Sequence, residues 1–234
     1  MYGVFARRFN ASGAPQGAEL QVNTYTSNHQ RSAAITLDGA GRFVVTWASY
    51  LQDGSGYGVF ARRFNSAGQA VGGEIAINVY TVGAQRVPRV SVDGAGRFVV
   101  AWDSVNEDGA TFGIFARQID PAGTAAAAQF QVNTYTLGSQ NSSRVAMNAQ
   151  GRFVVAWTSG HDYGTYGAFA QRFAVLDPFD IDGSGSLAPL TDGLLLLRFL
   201  FGFTGPTLVN GAVDAAACTR CDASAIEAYL QSLN

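Results

Sequence analysis

Hydrophobic and polar positions along this chain alternate in short runs for most of its length, then change rhythm near the C-terminus. In "ELQVNTYT", Leu20, Val22 and Thr24 alternate with polar neighbours, the period of a half-buried strand. "YGVFARRFN" before it and "SAAITLD" after it read the same way. "RFVVTWAS" is apolar on both faces, with Phe43, Val45 and Trp47 opposite Val44 and Ala48, and predicts a strand covered on both sides. The turn "DGAG" joins the last two runs, and "YLQDGSGYG" leads into the next. Asp-Gly between apolar runs is a hairpin signal, because glycine accepts the positive φ of a tight turn. No helical period appears before residue 186.

These runs recur. "GVFARRFN" at Gly3 returns at Gly58, as "GIFARQID" at Gly113 and as "GAFAQRFA" at Gly167, at offsets of 55, 55 and 54. "GRFVVTW" at Gly41 returns as "GRFVVAW" at Gly96 and Gly151, and "QVNTYT" at Gln21 as "AINVYT" at Ala76 and "QVNTYT" at Gln131. Four antiparallel strands in a repeat of this length predict β-propeller blades, each packing on its neighbours. The expected fold is mainly β: a partial propeller of about three blades over residues 1–174, followed by a small helical domain over 175–234. The repeats resemble the strand-rich, QDGSG-containing blocks found in tandem in large secreted bacterial proteins. The pattern opens in mid-unit, which predicts either a fragment of a longer repeat array or an open arc whose unpaired ends associate with another copy.

Three sets of side chains recur with the repeat. Asp53, Asp108 and Asp162 share a hairpin turn, where they either shape the turn or bind calcium or sugar at a rim. Trp47, Trp102 and Trp157 are core residues or a sugar-stacking platform. Gln30, Gln85 and Gln140 are buried amides bonded to a neighbouring unit or ligand-binding groups. His29 and His161 are the only histidines and sit at unrelated points of the repeat. No nucleophile elbow, zinc-protease, P-loop or dinucleotide motif stands in its proper context, so the repeats are expected to be non-catalytic.

After "VLDPFD" the strand rhythm stops. Residues from Val175 onward hold seven acids and two arginines, a net of −5, whereas the preceding 174 carry a net of +3. All fifteen basic residues are arginine. A net charge of −2 gives no general reason to expect nucleic acid, and the longest apolar run is too short for a membrane span. The stretch "DIDGSGSLAPLTDG" fits a calcium loop: Asp180 at position 1, Asp182 at 3, Ser184 at 5, Gly185 at 6 and the Ser186 carbonyl at 7. Thr191 occupies position 12, and Asp192 supplies a carboxylate if the loop is one residue longer. A helix is expected over about 191–201 and another over about 225–233, the second started by a Ser224/Glu227 capping box. Cys218 and Cys221 are the only cysteines. With too few further ligands for zinc, they read as a local disulfide in an oxidising, extracellular setting.

"DIDGSGSLAPLTDGLLLLRFLFG" resembles the first half of a dockerin-type module, a secreted EF-hand-like unit. That resemblance implies calcium bound by Asp180, Asp182, Ser184, Ser186 and Asp192, and docking onto a cohesin-like protein. Ala188 replaces the acid at loop position 9, and "GAVDAAACTRCDASAIEAYLQSL" lacks a second loop. The resulting expectation is a secreted binding or attachment protein, with a cohesin-like protein or a cell-surface glycan as partner. Two alternatives stand beside it: a non-catalytic part of a polysaccharide-degrading system, and a glycan-processing propeller.

Overall fold

The computed structural model describes residues 2–162, 165–173, 181–182, 190–215 and 218–232. The chain divides into two compact units, Met1–Phe173 and Ala174–Asn234.

The first unit is mainly β. A short pair, β1 (Phe5–Ala6) and β2 (Leu20–Gln21), precedes a four-stranded antiparallel sheet. That sheet is β3 (Gln30–Leu37), β4 (Phe43–Tyr50), β5 (Tyr57–Phe64) and β6 (Ala70–Ala76), ordered as in the sequence. The next repeat gives β7 (Gln85–Val92), β8 (Phe98–Ser104), β9 (Gly113–Ile119) and β10 (Phe130–Gln131), again four strands in order. The third gives β11 (Gln140–Met147), β12 (Phe153–Asp162) and β13 (Thr165–Phe173). These are propeller-like blades, but their phase differs from the sequence reading. Each sheet starts at "SAAITL", not at "GVFARRF", because consecutive hairpins zip β3 to β6 and the chain then crosses to the next sheet.

The first strands of the blades form a shared inner layer, with β3 packed on β7 and β7 on β11. Between blades the core is apolar. Val44, Val59, Ala61 and Ile77 of one blade meet Phe98, Val100, Trp102 and Phe115 of the next. Val99, Ala101, Ile114 and Val132 in turn meet Phe153 and Val155. The strand β8 is buried along its whole length. Trp47 and Trp102 are completely buried, so both are core residues; Trp157 packs at the edge of the third cluster.

A polar lock repeats inside this core. Asn78 accepts the Val59 amide at 2.7 Å and donates to the Tyr80 carbonyl at 3.0 Å and to the Gln85 side chain at 3.3 Å. Gln85 then donates to the Val82 carbonyl and toward the Ser104 hydroxyl. Asn23, Gln30 and Ser49 repeat the arrangement, as do Asn133, Gln140 and Ser159. Each asparagine lies just past an outer strand, and each glutamine opens the next inner strand. The lock therefore fixes the crossover between blades. The recurring glutamines are structural, bonded to the crossover itself.

The second unit holds α1 (Asp192–Leu200), α2 (Pro206–Val209) and α3 (Ala223–Ser232) around Ile181, Leu195, Leu208, Ala212, Ile226 and Leu230. The short α2 has no counterpart in the sequence reading; Pro206 at its start sets the helical φ. The expected capping box does not form. Asp222 accepts the Ala225 amide at 2.9 Å and the Ser224 hydroxyl at 2.5 Å, and Glu227 accepts the Gly205 amide at 2.8 Å instead. An aspartate two residues earlier, immediately before the helix, outcompetes the serine hydroxyl for the helix-start amides. Among the described residues, no helix is long and apolar enough to cross a membrane.

Replacing Asn78 with alanine strands the Val59 amide and the Gln85 carbonyl oxygen inside the core. Urea unfolding should show a loss of about 3 kcal/mol, since each buried unsatisfied group costs about 1–3 kcal/mol. A change below about 0.5 kcal/mol would mean that the lock does not hold the blades.

Candidate functional site

Because the repeats superpose their own chemistry, shared positions inside the core serve the fold, while shared positions open to solvent and departures from the pattern mark something else. The turn aspartates belong to the fold. Asp53 accepts the Asn78 amide at 3.0 Å and the Ser55 amide at 3.3 Å; Asp108 accepts Asn133 and Ala110 in the same way. A Cβ on Gly58 or Gly113 would lie 2.3 Å from the Asp53 or Asp108 carboxylate, so the carboxylate's seat explains both glycines. The side chain of Asp162 lies outside the described residues.

A second repeated feature is open to solvent. An aromatic residue precedes the glycine of each third strand: Tyr2, Tyr57, Phe112 and Tyr166. Tyr2 is 70% and Tyr166 71% exposed, and the other two are half-buried. The aromatic backbone is tied to the inner layer, since Gln30 donates to the Tyr2 carbonyl and Gln140 to the Phe112 carbonyl, both at 2.9 Å. From that layer Arg31 places its guanidinium 4.0 Å from the Tyr57 ring centre, and Arg86 does the same over Phe112. Tyr50 adds a second ring 5.0 Å from Tyr57, and His29 lies 5.3 Å from Tyr2. One end of the sheets thus carries a row of rings, two of them with guanidinium partners.

The inner strands are bulged at this end. Register slips between Arg31 and Ala34, Arg86 and Arg89, and Asn141 and Arg144. Ser32, Val87 and Ser142 occupy the extra position with φ of 56°, 52° and 60°. For a β-branched residue such as Val87 this left-handed backbone is strained, and bulges of this kind re-aim side chains next to functional sites.

Blade two departs from its siblings under the guanidinium. The residue paired with Arg31 is Ala48 and that paired with Asn141 is Thr158, but Arg86 is paired with Asp103. Asp103 is 3% exposed and has only long contacts, from the Ser142 amide at 3.3 Å and the Ser143 hydroxyl at 3.5 Å. Burial pushes its carboxyl above the ordinary value; those two residues, Arg86 and Arg89 only partly offset it. Glu107, standing where the first repeat has Gln52, is also raised by burial, against bonds from Ser104 and Gln129, with the Asp108 charge adding to the rise. Elsewhere Glu74 accepts Gln52 at 2.6 Å and the Thr24 hydroxyl at 2.8 Å, so the acid and amide of this pair are exchanged between repeats. At the far turns Asp38 and Asp93 hold Arg42 and Arg97 at 2.6 Å, a shape-keeping role. The sequence reading passed over both the aromatic row and Asp103; a residue-by-residue overlay of the repeats would have shown them.

Of the proposed calcium ligands, Asp180, Ser184 and Ser186 lie outside the described residues. Asp182 and Asp192 are buried and adjacent: Asp192 accepts the Ile181 amide at 2.6 Å and the Asp182 amide at 3.2 Å. Asp182 accepts the Asp214 amide at 2.7 Å. Among the described residues, no group of three or more acidic, histidine or cysteine side chains converges as a metal site. Cys218 and Cys221 are joined in a disulfide.

No protein-family model matches the chain, and no curated protein matches it. Among solved structures it is similar to an endo-arabinase from Bacteroides thetaiotaomicron, at 12% identity and a TM-score of 0.45 over 72% of this chain and 64% of that one. A thermostable family-43 glycoside hydrolase is similar at 10% identity and a TM-score of 0.42, over 73% and 67%. A fucose lectin from Kordia zhangzhouensis is similar at 11% identity and 0.36, over 59% and 91%. The chain thus spans under two thirds of the endo-arabinase it aligns with. These similarities run against the expectation of a non-catalytic chain, since the first two structures are of enzymes.

Asp103 provides a test of the site against a merely structural role. A folded carboxyl with a raised pKa binds its proton more tightly than the unfolded chain does. Its contribution to stability is present below the unfolded value and is lost as pH rises through the folded one. Asp103→Asn should therefore raise the melting temperature at pH 7 and leave it nearly unchanged at pH 3. A variant less stable than the parent at pH 7 would make Asp103 a structural residue.

Proposed function

We propose that the propeller-like unit binds a polysaccharide along its aromatic rim and acts in a polysaccharide-degrading system as a glycan-processing propeller. The observation that carries this reading is the repeated row of Tyr2, Tyr57, Phe112 and Tyr166 with Arg31 and Arg86 on two of the rings. A sugar ring presents an apolar C–H face that packs on an aromatic face, whose quadrupole is negative, while its hydroxyls accept from guanidinium donors. Arg31 and Arg86 cover one face of their rings and hold them in place. A repeat supplies such contacts at regular intervals, which suits a polymer of repeating units. Single-stranded nucleic acid also stacks on aromatics, but it calls for a basic groove along its phosphates. The first 174 residues set ten acids among thirteen arginines and have no lysine.

Asp103 is the candidate proton donor of the processing step, being a buried carboxyl with a raised pKa at the same end of the blades. Affinity electrophoresis against a panel of plant and bacterial polysaccharides tests the binding. Tyr57→Ala with Phe112→Ala should weaken retention by the bound polymer about tenfold or more, the loss of two ring contacts of about 0.5–1.5 kcal/mol each. Unchanged retention would remove the rim from the account.

For the second unit, the burial of Asp182 and Asp192 beside one another, with the Asp182 amide donating to the Asp192 carboxylate, supports a calcium-stabilised, dockerin-like attachment module acting outside the cell, with a cohesin-like protein as its docking partner. Asp180, Ser184 and the Ser186 carbonyl would complete the oxygen set. A buried carboxylate is costly, and a bound cation offsets that cost. Millimolar calcium should raise the melting temperature of this unit in the whole protein, and Asp180→Ala with Asp182→Ala should abolish the rise. Identical melting in calcium and in chelator would leave the loop as a turn only.

A further inference from the structure

Three guanidinium groups gather at the inner layer of the second and third blades with one carboxylate among them. Arg86 crosses above Asp103, its register partner, to reach the Phe112 ring. Its Nε is buried and has no hydrogen-bond partner. Arg89, three residues on and past the bulge, is half-buried and donates only to the Pro88 carbonyl, at 2.9 Å. Arg144 on the neighbouring inner strand donates to the Ser143 carbonyl at 2.8 Å. Among the described residues, none of the three arginines and neither oxygen of Asp103 takes part in an ion pair. Burial and the nearby Arg144 charge both work against the charge on Arg89.

This arrangement is built at a cost. It leaves a local excess of at least two positive charges, one guanidinium N–H without a partner, and Val87 strained at the bulge between Arg86 and Arg89. Blade one shows the inexpensive alternative, with Ala48 beneath Arg31 and Ala34 in place of Arg89. An anion between the guanidinium groups satisfies the open N–H and balances the excess charge, and planar guanidinium forks match a two-oxygen anion.

We propose that this cluster binds the acidic group of an anionic sugar unit, so that the polymer held on the rim is a charged polysaccharide carrying carboxylates or sulfate esters. The inference rests on the glycan reading above and adds the class of sugar. Phe112 takes the face of the unit and Arg86, Arg89 and Arg144 its acidic oxygens.

Calorimetric titration of the whole protein tests it with two matched pairs of probes: oligogalacturonate against its carboxyl-reduced form, and a sulfated oligogalactan against its desulfated form. At least one anionic member should bind about tenfold or more tightly than its neutral partner, as expected for hydrogen bonds to a charged group. The pair that shows the preference identifies carboxylate or sulfate as the source. Arg86→Gln with Arg144→Gln should erase the preference, so that the charged and neutral members of each pair bind the variant equally. Arg7→Gln, which removes one charge from the first hairpin, should preserve the preference. Equal binding of charged and neutral forms, or a preference that survives the double substitution, overturns the anionic assignment and leaves glycan binding standing. Binding of no oligosaccharide in this set, together with no retention on the polysaccharide panel, overturns both.

Discussion

The side-chain amide at Asn23, Asn78 and Asn133 is the contact on which the first unit depends. Each stands where the chain leaves an outer strand, and each takes over hydrogen bonds that a further strand residue would have made. It accepts an amide from its own blade and donates to the glutamine that opens the next. Inside an apolar interface such a bond is strong and its loss is expensive, so the crossover admits one geometry. The aromatic rim follows from it. The glutamine fixes the first residue of the inner strand, whose amide bonds to the Tyr2 or Phe112 carbonyl, and the following arginine is set against a ring.

On this repeated frame the second blade is specialised. Its siblings place alanine or threonine beneath the inner-strand side chain, whereas it buries Asp103, with Arg89 beside it at a position the third blade also fills with arginine, Arg144. None of these choices helps the sheet. A half-satisfied carboxylate, a guanidinium without a full set of partners and a valine in left-handed backbone all subtract from stability. Their concentration at one corner, at the end that carries the exposed rings, is the pattern expected where stability has been exchanged for function.

The period of 55 and the strand character of each run were legible in the sequence because alternation and Asp-Gly turns are local signals. The phase of the sheets was not. Which run begins a blade depends on where the chain crosses over, and that is decided by Asn78 and Gln85, seven residues apart and bonded only in the fold. The tryptophans drew attention as sugar platforms, yet their strand is covered on both faces and buries Trp47 and Trp102 entirely. The smaller rings that precede the glycines are the ones that reach solvent, Tyr2 and Tyr166 exposed and Tyr57 and Phe112 half-buried. Asp103 was hidden for a different reason: its significance lies in its differing from Ala48 and Thr158, which a search for shared motifs discards. In the second unit the two helices could be read from their apolar spacing, but Ser224 gave way to Asp222 as the cap, because a carboxylate is the stronger acceptor.

The central claim is that the end of the blades bearing Tyr57 and Phe112 is the face that meets a glycan. A crystal structure of the protein with a bound oligosaccharide addresses it most directly. The account predicts sugar rings seated on the aromatic row, with a guanidinium of the inner layer bonded to the ligand. Sugar found instead at the opposite turns, where Asp38 and Asp93 hold Arg42 and Arg97, would contradict it.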